Sequence, residues 1–135
     1  MWRTTGLAIC IIVAAGSAGT HASEAAKRLA GTAAFYDANY KGTTASGERY
    51  DPNKFTAAHK TLPFGTHLRV TDAKTGRSVV VVVNDRGPFN KGRMIDLSLA
   101  AAKSLRMTGR GLIKVTATVQ PAGLQPASYA TAAKP

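Results

Sequence analysis

The sequence is short of cysteine, of acidic residues and of long apolar runs, and each shortage removes a class of protein. Its one cysteine, Cys10, stands inside an apolar stretch near the start. Beyond it no thiol remains for a disulfide framework or a thiolate metal site. The 7 Asp and Glu face 18 Lys and Arg, for a net charge of +11. That excess favours anionic polymers and surfaces, with an anionic face of a cell envelope as the fitting electrostatic contact. Nucleic acid is not expected, because the basic residues neither cluster nor alternate with aromatics. The apolar stretch 7–15 is too short to span a bilayer, and so is the five-valine run 79–83.

The ends read differently from the middle. Residues 1–22 carry Arg3, then the apolar stretch, then small residues around Ala18 and Ala22, which is the pattern of a secretory signal peptide. Export is therefore expected. Leu7-Ala8-Ile9-Cys10 sets Ile9 where a lipoprotein site has a small residue, so lipid anchoring at Cys10 is not expected. Residues 23–30 form a short polar and alanine-rich lead-in with the composition of a frayed helix. Residues 121–135, rich in Pro, Ala, Ser and Thr, lack the burial that offsets ordering entropy and read as a disordered tail. One domain, 31–120, is left. With no disulfide it must rest on a packed core, which at this size points to a closed barrel or sandwich.

Within the domain, 31–36 reads as a first strand and 39–51 as a loop with Gly42 and Gly47. A short apolar segment follows at 55–58. Residues 68–71 and 78–83 flank a loop containing Gly76, the pattern of a β-hairpin. Another short apolar segment lies at 93–97. Ser98 can cap a helix over 99–107, with Gly109 and Gly111 at its exit, and 112–119 alternates as a last strand. Five or six short strands and one short helix make a mainly β fold, a small β-barrel.

The valine strand stops on Asn84-Asp85-Arg86-Gly87-Pro88, and a carboxylate at the mouth of a rigid strand is well placed for chemistry. Asp85 could equally cap a turn and pair with Arg86. Glu48, after Gly47, could be a solvated charge beside Arg49, and a lone His59 is by itself an ordinary surface or packed residue. The scattered histidines offer no metal site, and no cofactor is implied.

Taken in order, Thr44-Ala45-Ser46-Gly47-Glu48, Tyr50-Asp51, Thr56-Ala57-Ala58-His59, Leu62-Pro63-Phe64-Gly65-Thr66, Asn84-Asp85-Arg86-Gly87-Pro88-Phe89 and Ile95-Asp96-Leu97-Ser98 resemble the rare lipoprotein A (RlpA) family of bacterial envelope proteins. The resemblance covers about 31–119. It implies a six-stranded double-psi β-barrel with one or two short helices. It also implies an endolytic lytic transglycosylase that cleaves the MurNAc–GlcNAc bond of peptidoglycan glycan strands, preferring strands poor in stem peptides. By the same resemblance Glu48 and Asp85 are the functional carboxylates, with His59 nearby. Tyr36, Thr44, Ser46, Tyr50, Asn84 and Arg86 are expected around the sugar. The protein is expected in the periplasm or cell envelope, as a monomer and without a cofactor.

The chain departs from the family pattern in three ways. Phe35-Tyr36-Asp37 replaces a usual Trp-Tyr-Gly, Arg106 replaces a usual glycine before Met107, and no peptidoglycan-binding SPOR domain follows, so septal targeting by one is not expected.

Lytic cleavage needs a proton on the departing oxygen, after which the sugar's own 6-hydroxyl closes a 1,6-anhydro ring. One carboxyl group can therefore act as acid and then base. Asp85 is the expected bearer, with Glu48 stabilising charge on the ring and His59 orienting a carboxylate or sugar. Two alternatives stay open: a non-catalytic, expansin-like glycan-binding module, and an inverting hydrolase with water between two carboxylates.

Overall fold

Valine's branched Cβ favours extended backbone, and the five valines lie in one strand. In the computed structural model, which describes residues 27–121, the strands are β1 (Arg28–Phe35), β2 (Thr56–His59), β3 (His67–Asp72), β4 (Ser78–Asp85), β5 (Ile95–Leu97) and β6 (Ile113–Val119); one helix, α1 (Leu99–Ser104), follows β5. They close into a barrel in the order β1-β5-β2-β4-β3-β6. The β1–β5 and β2–β4 pairings are parallel and the other four antiparallel. The mainly β reading and the 71-to-78 hairpin both hold.

Side-chain alternation separates core from exterior. Val81 and Val83 are fully buried with Leu68, Val70, Ile95, Leu97 and Ala117, whereas Val80 and Val82 are half-buried on the outer side. Each large side chain withdrawn from water contributes about 1.5–3 kcal/mol, enough together to replace the missing disulfides. Ala101, Ala102, Leu105 and Met107, all at 0% exposure, add the helical segment to the same core.

Three boundaries differ from the sequence reading. β1 begins at Arg28, not 31, so residues 28–30 are strand rather than frayed helix. The cause is a partner distant in sequence: Arg28, Leu29 and Ala30 pair with Thr118, Ala117 and Thr116. Gly31 then passes so close to Met94 that an added Cβ would lie 2.8 Å from the Met94 Cβ. β4 runs on through Asn84 and Asp85 because Ala58 supplies a pairing partner for Asp85. Finally, α1 stops at Ser104. Its start is as expected, with the Ser98 hydroxyl accepting the Ala101 amide. Its end is a Schellman turn, in which Met107 N–H donates to Ala102 O and Arg106 N–H to Lys103 O, both at 3.0 Å. Arg106 sits there at φ +53°, the left-handed position that a glycine usually takes. The expected signal segment, Cys10 and the tail beyond 121 lie outside the described residues.

Candidate active site

Three segments meet at the end of β4. Tyr36 follows β1, and its amide donates to Leu97 O at 2.9 Å, which extends the β1–β5 pairing by one residue. Its hydroxyl donates to Asp85 Oδ2 at 2.5 Å. The Ala45 amide, on the loop after β1, donates to Oδ1 at 2.8 Å, as does the Arg86 amide. Both carboxylate oxygens of Asp85 are therefore acceptors of fixed donors.

The loop is held by its own small residues. Thr44 Oγ1 donates to Glu48 O and lies 2.9 Å from Ser46 Oγ, while the Ser46 amide donates to the carbonyl of buried Asn84. Ser46 Oγ reaches Glu48 Oε1 only at 3.5 Å, so the Glu48 carboxylate stays exposed. With Tyr50 and Lys54 it lines an open depression of about 450 Å3 that does not include Asp85.

Rings cover the other side. Tyr36 and Tyr50 have centroids 4.6 Å apart, and Tyr40 lies 5.2 and 5.3 Å from them. Burial first, then the bond to Asp85, raises the Tyr36 phenol far above its ordinary range, so it remains a neutral donor. Burial also raises Tyr50, whose oxygen accepts the Leu99 amide at the start of α1.

Two expected residues sit differently. Arg86 turns its guanidinium away from Asp85. Its Nη1 donates to His59 O and Leu62 O at 3.2 and 2.8 Å, with the group 4.1 Å over the Phe64 ring. The Asp85–Arg86 ion pair considered from sequence is not made. His59 lies in the register row of Ala33 and Ile95, on the core side. Its Nδ1 accepts the amides of Thr61 and Leu62 at 3.2 and 3.1 Å, leaving the neutral ring's proton on Nε2. Burial, then Lys27, Arg86 and Lys60, hold its pKa below the ordinary value. Among the described residues its ring makes no hydrogen bond to a carboxylate.

One acidic residue went unassigned in the sequence reading. Asp96, between core residues Ile95 and Leu97, has its Oδ2 3.4 Å from Arg93 Nη2. Burial, reinforced by the charge of Asp85 and opposed by Arg93, raises its pKa. A charged residue at the centre of a three-residue apolar strand was the signal available. Among the described residues no three His, Cys, Asp or Glu side chains gather to hold a metal ion.

A closed six-stranded barrel with two parallel pairings, carrying carboxylates and tyrosines at one strand mouth, defines a double-psi β-barrel with an acidic, aromatic site. Residues 28–117 match the lytic transglycolase family, and the chain belongs to that family. The endolytic peptidoglycan transglycosylase RlpA of Neisseria meningitidis serogroup B is 52% identical over 86 residues, covering 63% of this chain and 36% of that protein. Its namesake from Pseudomonas aeruginosa PAO1 is 49% identical over 105 residues, covering 77% and 30%. The chain thus spans only about a quarter to a third of the length of such relatives. Among solved structures, a Streptomyces papain inhibitor superposes with a TM-score of 0.59 at 26% identity, covering 70% of this chain and 96% of that one. A Clavibacter michiganensis expansin in complex with cellohexaose gives 0.59 at 21% identity, covering 74% and 54%, a likeness of fold alone.

Proposed function

We propose that the protein is an exported endolytic lytic transglycosylase that cleaves the MurNAc–GlcNAc bond of peptidoglycan and leaves a 1,6-anhydroMurNAc end. The observation that carries this reading is Asp85. It is a carboxylate at a strand mouth, fixed by a phenol and two amides, beside a cluster of tilted tyrosine rings that offers aromatic surface to a sugar. Such pre-arrangement supports chemistry over simple adhesion, because it sets a charge in place before the substrate arrives. Support also comes from the activity for which the Neisseria and Pseudomonas relatives are named.

In this reading Asp85 faces the oxocarbenium-like centre, and Glu48, exposed on the adjoining loop, stabilises charge on the distorted ring. Half-buried Tyr36 and exposed Tyr40 offer ring surface to sugar with buried Tyr50 packed behind them, while Thr44, Ser46 and Asn84 hold the loop. Arg86 and His59 act at one remove, bracing residues 59–64 beneath the site. The protein works as a monomer in the periplasm or cell envelope on glycan strands poor in stem peptides, and its basic surface favours an anionic envelope over nucleic acid.

The test is mass spectrometry of peptidoglycan, with and without stem peptides, after incubation with purified protein. Anhydro-muropeptides that disappear with Asp85→Asn support the reading. Binding without new products would make the protein an expansin-like module, and reducing-end products would make it a hydrolase.

A further inference from the structure

Charge is sorted by sign between two walls of the barrel. Asp37, Glu48, Asp51, Asp85 and Asp96 all lie on the segments around the site. The wall made by β1, β6 and β3, with the hairpin after β3, holds one acidic residue, Asp72. Asp72 points inward at 1% exposure, and its Oδ2 accepts from Arg110.

The outer side of this wall carries cations and hydroxyls. Register joins Arg28 of β1 to Thr118 of β6, and Thr118 to Arg69 of β3. Both arginines are exposed, two strand spacings or about 10 Å apart. The next row is Ala30, Thr116 and Thr71, and beyond it Lys114 Nζ donates to Thr32 Oγ1 at 2.9 Å. The hairpin adds exposed Lys74 and Arg77 at the same end. The alternate residues Leu68, Val70, Val115 and Ala117 are buried in the core, so these rows face outward.

Strand order decides where the face points. In the ring of six, β6 stands three places from β2, and β3 three places from β5. Tyr36 is bonded to Leu97 of β5, and Asp85 pairs with Ala58 of β2. The basic face and the site therefore look in opposite directions. No aromatic residue stands in β3, β6 or the 73–77 hairpin, so the face has no ring to stack on a sugar or a base. It offers guanidinium, ammonium and hydroxyl donors instead, the groups that phosphate oxygens accept.

We propose that the β1–β6–β3 face docks on the phosphate headgroups of an anionic lipid bilayer and leaves the site open on the far side of the barrel. This gives the basic surface a location and a partner. It rests on the proposed envelope location and not on the cleavage chemistry. Binding is peripheral and electrostatic, so it weakens with salt.

The experiment is co-sedimentation of the purified protein with mixed phosphatidylglycerol and phosphatidylcholine vesicles, compared with phosphatidylcholine alone. Wild type should prefer the anionic vesicles, and high salt should remove the preference. The triple variant Arg28→Gln, Arg69→Gln, Arg77→Gln should bind them about a hundredfold more weakly, about fivefold per cation lost. Lys41→Gln, Lys91→Gln, Lys103→Gln removes as many charges away from the face and should keep most of the preference. Equal binding to both vesicles, or equal loss in both triple variants, overturns the proposal. In wild type alone, a lipid spin-labelled at its headgroup should broaden the Thr116 and Thr118 amide signals and spare Ala45; the reverse pattern also overturns it. So does an arginine variant that loses purified glycan strands while wild type ignores the anionic vesicles, which would make the face a glycan site. A protein that releases no anhydro products sinks the transglycosylase reading and leaves the vesicle result standing.

Discussion

Replacing Arg106 with glycine should stabilise this protein although it deletes an entire side chain. Arg106 is the one non-glycine residue at positive φ among those described, at +53° in the turn that ends α1. Its side chain is exposed and makes no hydrogen bond or ion pair among the described residues, so truncation removes little. The two backbone bonds of the turn, to Ala102 O and Lys103 O, do not depend on the side chain. Left-handed backbone costs an L-residue about 1–2 kcal/mol. Against this, glycine is freer in the unfolded chain, which costs about 0.4–1 kcal/mol. The net gain is about 0.5–1 kcal/mol, or about 3–6 °C in Tm for a barrel of this size. Thermal melts followed by circular dichroism should include Arg106→Ala, which keeps the steric penalty and should change stability little. If glycine proves no more stabilising than alanine, the backbone argument is wrong.

Other outcomes follow from the same reasoning. Asp72, at 1% exposure, is held down to about pKa 2, first by Arg110 and then by the Lys74 amide and Thr75. Its folded value lies below its unfolded one, so its contribution of about 2 kcal/mol is complete above pH ~4 and lost as pH falls through about 2. Denaturant melts of Asp72→Asn should lack that acid limb. His59 is likewise depressed, so its contribution is present above its unfolded value of about 6.5 and fades with acidification. The exchange protection factors of the Thr61 and Leu62 amides, measured by NMR against the intrinsic rate at each pH, should then fall in acid. Ser98→Ala leaves the amides of Ala101 and buried Thr56 without the hydroxyl and should cost about 2 kcal/mol in a urea melt. Arg86→Met should lower product release while leaving the Tyr36–Asp85 contact intact, seen as an unchanged Tyr36 hydroxyl proton signal.

What could be read from the sequence was whatever depended on near neighbours. β-Branching at 79–83 and alternation at 112–119 mark strands because both are properties of residues within a few positions of one another. Ser98 marks a helix start because its hydroxyl acts three residues away. The three N-terminal residues of β1 were missed because they are strand only through β6, some ninety positions later. The same limit shaped the site. Asp85 and Glu48 stood out by motif, yet the partners of Asp85 at 36 and 45 are contacts made by closure of the barrel. The surroundings of His59 were not legible either, because its register partner Ile95 lies thirty-six positions later. Asp96 stood in a family motif but was given no role, because its burial is set by pairing with Ala34 and Ala58, far away in sequence.

The order of the strands also sets a schedule. β6 is the last strand made, and it alone joins β1 to β3. A chain emerging N-terminus first therefore keeps two unpaired sheet edges, at β1 and β3, until residue 119 is available. The barrel cannot seal early. That delay lets length itself act as the latch, and a truncation before residue 113 would leave both edges open to other chains.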